Sequence, residues 1–142
     1  MMRSPRLVIA GGSGFIGSAL ASAFVRDGYE VVVLSRARST QSGPLRYVQW
    51  DGCNPGPWTT ELEGANFIVN LSGSSVNCRH NEHNRRRLID SRIKPVMALG
   101  AAIIAAENPP PVWINASGAG IYPESETPQG EDVLATGDDF IA

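Results

Sequence analysis

The apolar positions of this chain switch between two periods. Arg6-Leu7-Val8-Ile9-Ala10 is a short apolar run with β-branched residues, the pattern of a strand buried in a parallel sheet. Ser18 to Asp27 then takes helical spacing, with Ile16, Leu20, Phe24 and Val25 on one face. Gly28 stops that helix, and Glu30-Val31-Val32-Val33-Leu34 reads as a second strand. Ser35 to Pro44 is polar and rich in breakers, which predicts a loop, and Leu45 to Trp50 predicts a third strand. Asp51 to Pro57 follows as a turn region, Trp58 to Glu63 as a short helix, and Asn66 to Leu71 as a fourth strand. Asn81 to Glu107 is the longest helical pattern, with Leu88, Ile89, Ile93, Val96, Met97, Ile103 and Ile104 near helical spacing. Pro95 interrupts it at a cost of about 3 kcal/mol unless a kink relieves the clash. One helix bent at Arg92–Lys94, or two helices, is expected. Asn108 to Pro111 ends the pattern, Val112 to Ala116 predicts a fifth strand, and Ser117 to Ala142 is loop-like. The closing Phe140-Ile141-Ala142 reads as the start of a further helix.

Between the first strand and its helix lies Gly-Gly-Ser-Gly-Phe-Ile-Gly, Gly11 to Gly17. Strand, glycine turn, helix and strand within about 30 residues form a βαβ unit, the setting in which such a turn holds a dinucleotide pyrophosphate. Gly11 suits the sharp exit from the strand. Gly14, with no Cβ, lets a pyrophosphate approach the backbone. Gly17 lets the helix pack tightly against the strand. The phosphates would meet unpaired N–H groups at the positive end of the helix. Ser13, Phe15 and Ile16 belong to the same candidate site. The expected fold is α/β, a Rossmann-type parallel sheet with strand order 3-2-1-4-5 in a single domain over residues 1–142.

The tip of the second strand selects the cofactor: an acid there binds the ribose hydroxyls of NAD, whereas arginine accommodates the 2′-phosphate of NADP. Here Ser35-Arg36-Ala37-Arg38 carries two arginines, and no acid occurs until Asp51. That favours NADP, with NAD as the alternative; a solvated loop arginine is the plain reading of either side chain. Leu71, Ser72 and Gly73 end the fourth strand at the carboxyl edge, where ligands bind in open α/β folds. Ser35, Arg36, Arg38, Asp51, Leu71, Ser72 and Gly73 therefore join the candidate cofactor set.

A length of 142 residues suits one domain with a real core, and the formal charge of −2 argues against phosphate-driven nucleic-acid binding. Every Lys and Arg lies at or before Lys94, while Glu107 and Glu124 to Asp139 carry only acid. An anionic cofactor toward the N-terminal half would suit that polarity, as would surface scatter. No run has the length of a membrane span or a signal-peptide core, and Cys53 and Cys78 lack metal or redox spacing. A cytoplasmic protein with reduced thiols is expected, with no nucleic-acid or membrane partner.

The linked motifs resemble an extended short-chain dehydrogenase/reductase. Gly11 to Gly17 after the first strand, Leu34-Ser35-Arg36 after the second, Asn70-Leu71-Ser72-Gly73 after the fourth and Ala116 to Tyr122 after the fifth carry the likeness. Gln49 to Gly52, Asn70 to Arg79, Asn84 to Arg92 and the Gly-x-Tyr element resemble more closely the nucleoside-diphosphate-sugar epimerase-like subgroup, some of whose members bear a SulA-type cell-division-inhibitor label. The resemblance covers essentially the whole chain. It implies a Rossmann fold, NAD(P), and catalysis by a Ser, a Tyr and a Lys four residues after the Tyr, acting on a sugar nucleotide or similar carbonyl or alcohol substrate. It also implies that this chain matches an N-terminal part, without the later strands and substrate domain, and that the unfinished sheet edge is open to a second copy.

Several residues depart from that pattern. Tyr29, Tyr47 and Tyr122 are followed four residues on by Val33, Asp51 and Glu126, so Tyr-x-x-x-Lys is absent, and Lys94 is the only lysine. The family's catalytic Ser position is Gly118 here, with Ser117 one step earlier as in the epimerase-like subgroup; its helix asparagine corresponds to Ser91. Ser117 and Tyr122 are the candidate catalytic residues. Two function classes follow: an NADP-dependent oxidoreductase or epimerase, and a non-catalytic dinucleotide-binding module, sensor or scaffold. His80 and His83 lack a third metal ligand, Cys78 and His80 are too close in sequence to converge, and Arg85-Arg86-Arg87 point in different directions on a helix. All three read as solvated groups, and no metal is expected. Arg79 suits either a phosphate contact or a salt bridge.

Overall fold

The protein is described from a computed structural model covering residues 4–37, 39–133 and 137. Arg38 and the closing apolar triplet lie outside the described residues. The elements run β1 (Arg6–Ala10), α1 (Phe15–Arg26), β2 (Glu30–Ser35), β3 (Thr40–Ser42), β4 (Leu45–Gln49), a 3₁₀ helix (Pro57–Leu62), β5 (Phe67–Asn70), α2 (Glu82–Ala105), β6 (Val112–Asn115) and a 3₁₀ turn (Ala119–Ile121). They form one sheet in the order β3-β4-β2-β1-β5-β6. Its five parallel strands, β4-β2-β1-β5-β6, have the expected 3-2-1-4-5 order.

The sixth strand corrects the expected loop. Thr40–Ser42 pairs antiparallel with β4, Ser42 opposite Leu45. Gly43 takes φ +58°, the left-handed conformation that lets the chain reverse within two residues. All three residues are exposed, so no hydrophobic alternation marks them.

β1 is central, with β2 on one side and β5 on the other. Leu7 and Ile9 face α1, packing with Ala21, Val31 and Val33 and with the half-buried Leu20, Phe24 and Val25. Val8 and Ala10 face the other layer, with Val32, Leu34, Trp50, Trp58, Leu62, Ile68 and Leu99. The one-residue alternation of a strand thus assigns β1 to two cores. Ile16 departs from the expected α1 face and is exposed, because the first turn of α1 starts past the end of β1, where no sheet lies beneath it.

α2 is one continuous helix that carries Pro95 in its interior, capped where the Asn81 side chain accepts a hydrogen bond from Asn84 N. Its buried stripe is Leu88, Pro95 and Leu99. Ile89, Ile93, Met97 and Ile104 are 45%, 55%, 68% and 86% exposed, which corrects the expected packing face. Ile89, Ile93, Met97 and Ile104 lie about 100–180° around the helix from Leu88, so they stand beside the sheet contact. Among the described residues no helix is long and apolar enough to cross a membrane.

The two sets of aliphatic residues on α2 therefore differ in energetic weight. Leu99→Ala should cost about 2–5 kcal/mol in urea unfolding, and Ile93→Ala only about 0.5 kcal/mol. Similar losses from the two variants would contradict this division of the helix.

Candidate functional site

The glycines of the turn do four different jobs. Gly11 has φ +72°, and its N–H donates to Leu34 O at 2.9 Å as the chain leaves β1. A Cβ on Gly11 would stand 2.9 Å from both Cα and N of Ser72, so the glycine turn and the end of β5 touch through backbone. A Cβ on Gly12 would meet Ile9 Cγ2 at 2.7 Å, a packing demand that the motif alone did not reveal. At Gly17 it would overlap Gly12 Cα and O. The close approach at Gly17 is thus to the turn itself, a correction to its expected packing on the strand. Gly14 differs from all of these: φ is −84°, and among the described residues beyond its chain neighbours no atom lies within 4 Å of its would-be Cβ.

Gly14 is also the N-cap of α1, and among the described residues no side chain caps that end. The first intrahelical bond runs from Ser18 N to Gly14 O at 2.9 Å, and no acidic residue occupies the first turn. The leading N–H groups of a helix lack intrahelical partners and carry its positive end. Ser13, Gly14, Phe15 and Ile16 are all exposed around them.

On the other side of β1, β5 and β6 end in the same way. Asn70 Nδ2 donates to Asn115 Oδ1 at 2.7 Å, and these two residues are register partners. Asn70 Oδ1 accepts from Ser72 N at 3.0 Å, and Asn115 Nδ2 donates to Ala116 O at 3.2 Å. Asn70 is buried and Asn115 is exposed; a buried amide must be hydrogen-bonded, and the Asn70 amide uses its bonds to tie the two strand ends together and to fix Ser72. Leu71 N adds a bond to Ala10 O at 2.8 Å. Ser117 follows directly after Ala116, whose N–H donates to Asn70 O at 2.9 Å. Tyr122 caps the 3₁₀ turn, its N–H donating to Ala119 O at 3.1 Å. Neither asparagine was singled out from sequence. Their signal was the repeated strand ending Asn-x-Ser, at Asn70–Ser72 and Asn115–Ser117, with a residue type depleted in strands.

Past β2 and β4, Arg36 and Asp51 line one pocket of about 330 Å³ with Gln49, Trp50, Asn54 and Trp58. Trp50 N donates to Ser35 O at 2.7 Å, joining the two strand ends. Ser35 Oγ, which does not line the pocket, and Trp50 Nε1 are both buried without a hydrogen-bond partner among the described residues. Asp51 folds back on its own turn: Oδ1 accepts from Cys53 N and Asn54 N at 2.9 Å, and Oδ2 from Asn54 Nδ2 at 2.6 Å. Hydrogen bonds from Asn54, first its backbone N–H and then its amide, hold the carboxyl well below the usual carboxylate range. Lys94 lies elsewhere, on an exposed part of α2, with Nζ 2.8 Å from Asp90 Oδ2.

A glycine turn ending the central strand, a helix N-terminus above it and a strand order that reverses beside β1 define a Rossmann-type α/β domain. Residues 7–138 match the NAD dependent epimerase/dehydratase family, and the chain belongs to it. It is 33% identical over 140 residues to the epimerase family protein YfhF of Bacillus subtilis, covering 96% of this chain and 45% of that protein. The human epimerase family protein SDR39U1, solved with NADPH, superposes with a TM-score of 0.77 at 31% identity, covering 96% of this chain and 44% of that one. MoeE5, solved with UDP-glucuronic acid and NAD, shares the fold with a TM-score of 0.77 at 21% identity, over 93% of this chain and 43% of that one. The chain thus spans 38–45% of the length of the curated relatives it matches.

The glycine geometry predicts opposite responses in the ligand-free protein. Gly17→Ala drives a methyl into the backbone of Gly12 and should destabilise by about 1–3 kcal/mol or more. Gly14→Ala should stay within about 0.5 kcal/mol of the parent. Thermal unfolding of both variants without ligand distinguishes them, and a severe loss at Gly14 would show that the protein itself needs that glycine.

Proposed function

We propose that the carboxyl edge binds a nicotinamide dinucleotide, NADP(H) in preference to NAD(H). Gly14 carries this reading. Neither its backbone conformation nor its surroundings require glycine, so the open volume above it fits a ligand that lies against the chain. The uncapped N–H groups of Phe15, Ile16 and Gly17 would hold the pyrophosphate. Ser72 and Gly73 would wall the nicotinamide side, while Ser35, Arg36 and the pocket shared with Asp51 would take the adenosine side. The NADPH held by the human relative supports the dinucleotide.

When bound, the nicotinamide supplies or accepts hydride. This chain's own residues bind and orient: Gly11 and Ser72 close the crevice, and Arg36 offers a charge-assisted contact to a 2′-phosphate. Family membership supports an oxidoreductase or epimerase acting on a sugar nucleotide or a similar carbonyl or alcohol compound. Ser117 and Tyr122 are the residues proposed to face that substrate. A second reading, a non-catalytic dinucleotide-binding module, rests on Lys94. Its ammonium pairs with Asp90, and Glu126 occupies the position four residues after Tyr122. We favour binding without useful turnover for the 142 residues as they stand. Free Cys53 and Cys78 support a reducing, cytoplasmic setting. The exposed Val112, Trp113 and Ile114 of β6 support association with a second copy.

NADPH should raise the melting temperature, since a ligand that binds only the native state stabilises it. Gly14→Val should abolish that shift while leaving the ligand-free protein within about 2 kcal/mol of the parent; a retained shift would remove the pyrophosphate reading. Arg36→Ala should reduce the preference for NADPH over NADH by roughly ten-fold or more, from the loss of one charge-assisted contact. Equal weakening of both cofactors would assign Arg36 another role. Absorbance assays with a sugar-nucleotide panel should show turnover near background, because general acid–base help of the absent kind contributes about 10²–10⁴-fold. Robust turnover abolished by Ser117→Ala or Tyr122→Phe would overturn the non-catalytic reading.

A further inference from the structure

The loop between β5 and α2 begins as one wall of the proposed crevice, and two neighbouring side chains of α2 hold it. Ser91 Oγ accepts a hydrogen bond from Ser74 N at 2.9 Å and donates to Leu88 O at 2.9 Å. Arg92 Nη2 donates to Ser74 O at 3.3 Å, and Arg92 Nη1 donates to Leu88 O at 3.1 Å and to Ser91 Oγ at 3.4 Å. Both backbone groups of Ser74 are therefore taken by α2 side chains. Gly73 lies against the same guanidinium, with its would-be Cβ 3.6 Å from Arg92 Cζ. Arg92 makes no ion pair among the described residues, so its fixed fork of donors is directed at backbone oxygens and a hydroxyl. Two residues before Ser74, the backbone of Ser72 presses on Gly11. The wall is pinned at Ser72 by Asn70 and at Ser74 by α2.

We propose that Arg92, together with Ser91, is a positioning residue that clips the Ser72–Ser74 wall to α2 and so sets the width of the crevice opposite the glycine turn. The proposal rests on the reading of that crevice as a dinucleotide site. A guanidinium suits this task because several N–H groups in one plane bridge the Leu88 and Ser74 carbonyls at once. Ser91 completes the clip, since its hydroxyl proton goes to Leu88 O and its lone pair is left to receive Ser74 N–H. The wall lies on the β5 side of β1, whereas Arg36 lies beyond β2 on the other side. The clip should therefore act on the nicotinamide half of the ligand and leave the adenosine half untouched.

Fluorescence or calorimetric titration of the 142-residue protein with NADPH and with adenosine 2′,5′-bisphosphate, which carries only the adenosine half, tests this. Arg92→Met and Ser91→Ala should each weaken NADPH by about ten-fold while leaving the bisphosphate unchanged. The double variant should be little worse than the weaker single one, because both residues hold the same segment. Arg92→Lys keeps the charge but loses the fork, and should show the same selective loss if Arg92→Met fails to fold. Unchanged NADPH affinity in the variants, or equal losses for NADPH and the bisphosphate, would overturn the clip. A parent protein that binds neither compound would instead overturn the dinucleotide reading, and the clip with it.

Discussion

One contact without room for a side chain organises the carboxyl edge: the backbone of Gly11 against the backbone of Ser72. It exists because β1 is central, paired in parallel to β2 and β5, with its residues from Leu7 to Ala10 fully buried. The connections leaving β1 and β5 pass to opposite faces of the sheet. α1 covers the face of Leu7 and Ile9, and α2 the face of Val8 and Ala10. A crevice between the departing chains follows from this divergence. The left-handed conformation of Gly11 makes the first departure sharp enough for Ser72 to close against it.

The glycines around that contact separate folding from binding. Gly12 and Gly17 are required by packing, since a Cβ at either would overlap Ile9 or the Gly12 backbone. Gly14 is required by neither packing nor strain, and it stands where α1 presents its unpaired N–H groups. The opposite wall is held by polar side chains: the Asn70–Asn115 amide pair from below and Ser91 and Arg92 from the side. Such bonds orient a loop without adding an apolar core beneath it.

The parallel core and the glycine turn were legible because each carries a strong local signal: β-branched apolar runs for the strands, and a strand-to-helix change of period around Gly11 to Gly17. β3 was not legible, since Thr40-Gln41-Ser42 has no buried side to create a pattern and depends on a reversal at Gly43. The exposed stripe of α2 misled for the opposite reason. Ile89, Ile93 and Met97 are apolar at helical spacing, and periodicity alone does not tell which part of a broad apolar arc meets the sheet. The roles of Asn70, Asn115 and Arg92 are not legible in the sequence because they come from partners 45, 45 and 18 residues away.

The proposed dinucleotide would lie between the glycine turn and the Ser72–Ser74 wall. Backbone amide chemical shifts of the ¹⁵N-labelled protein, followed while NADPH is added, test it most directly. Bound there, NADPH should give saturable shifts concentrated at Ser13 to Gly17, at Leu71 to Ser74 and at Arg36. Shifts confined instead to the groove between the 3₁₀ helix and α2, lined by Thr59, Met97, Ala98 and Ala102, would contradict it, as would no shift at saturating NADPH.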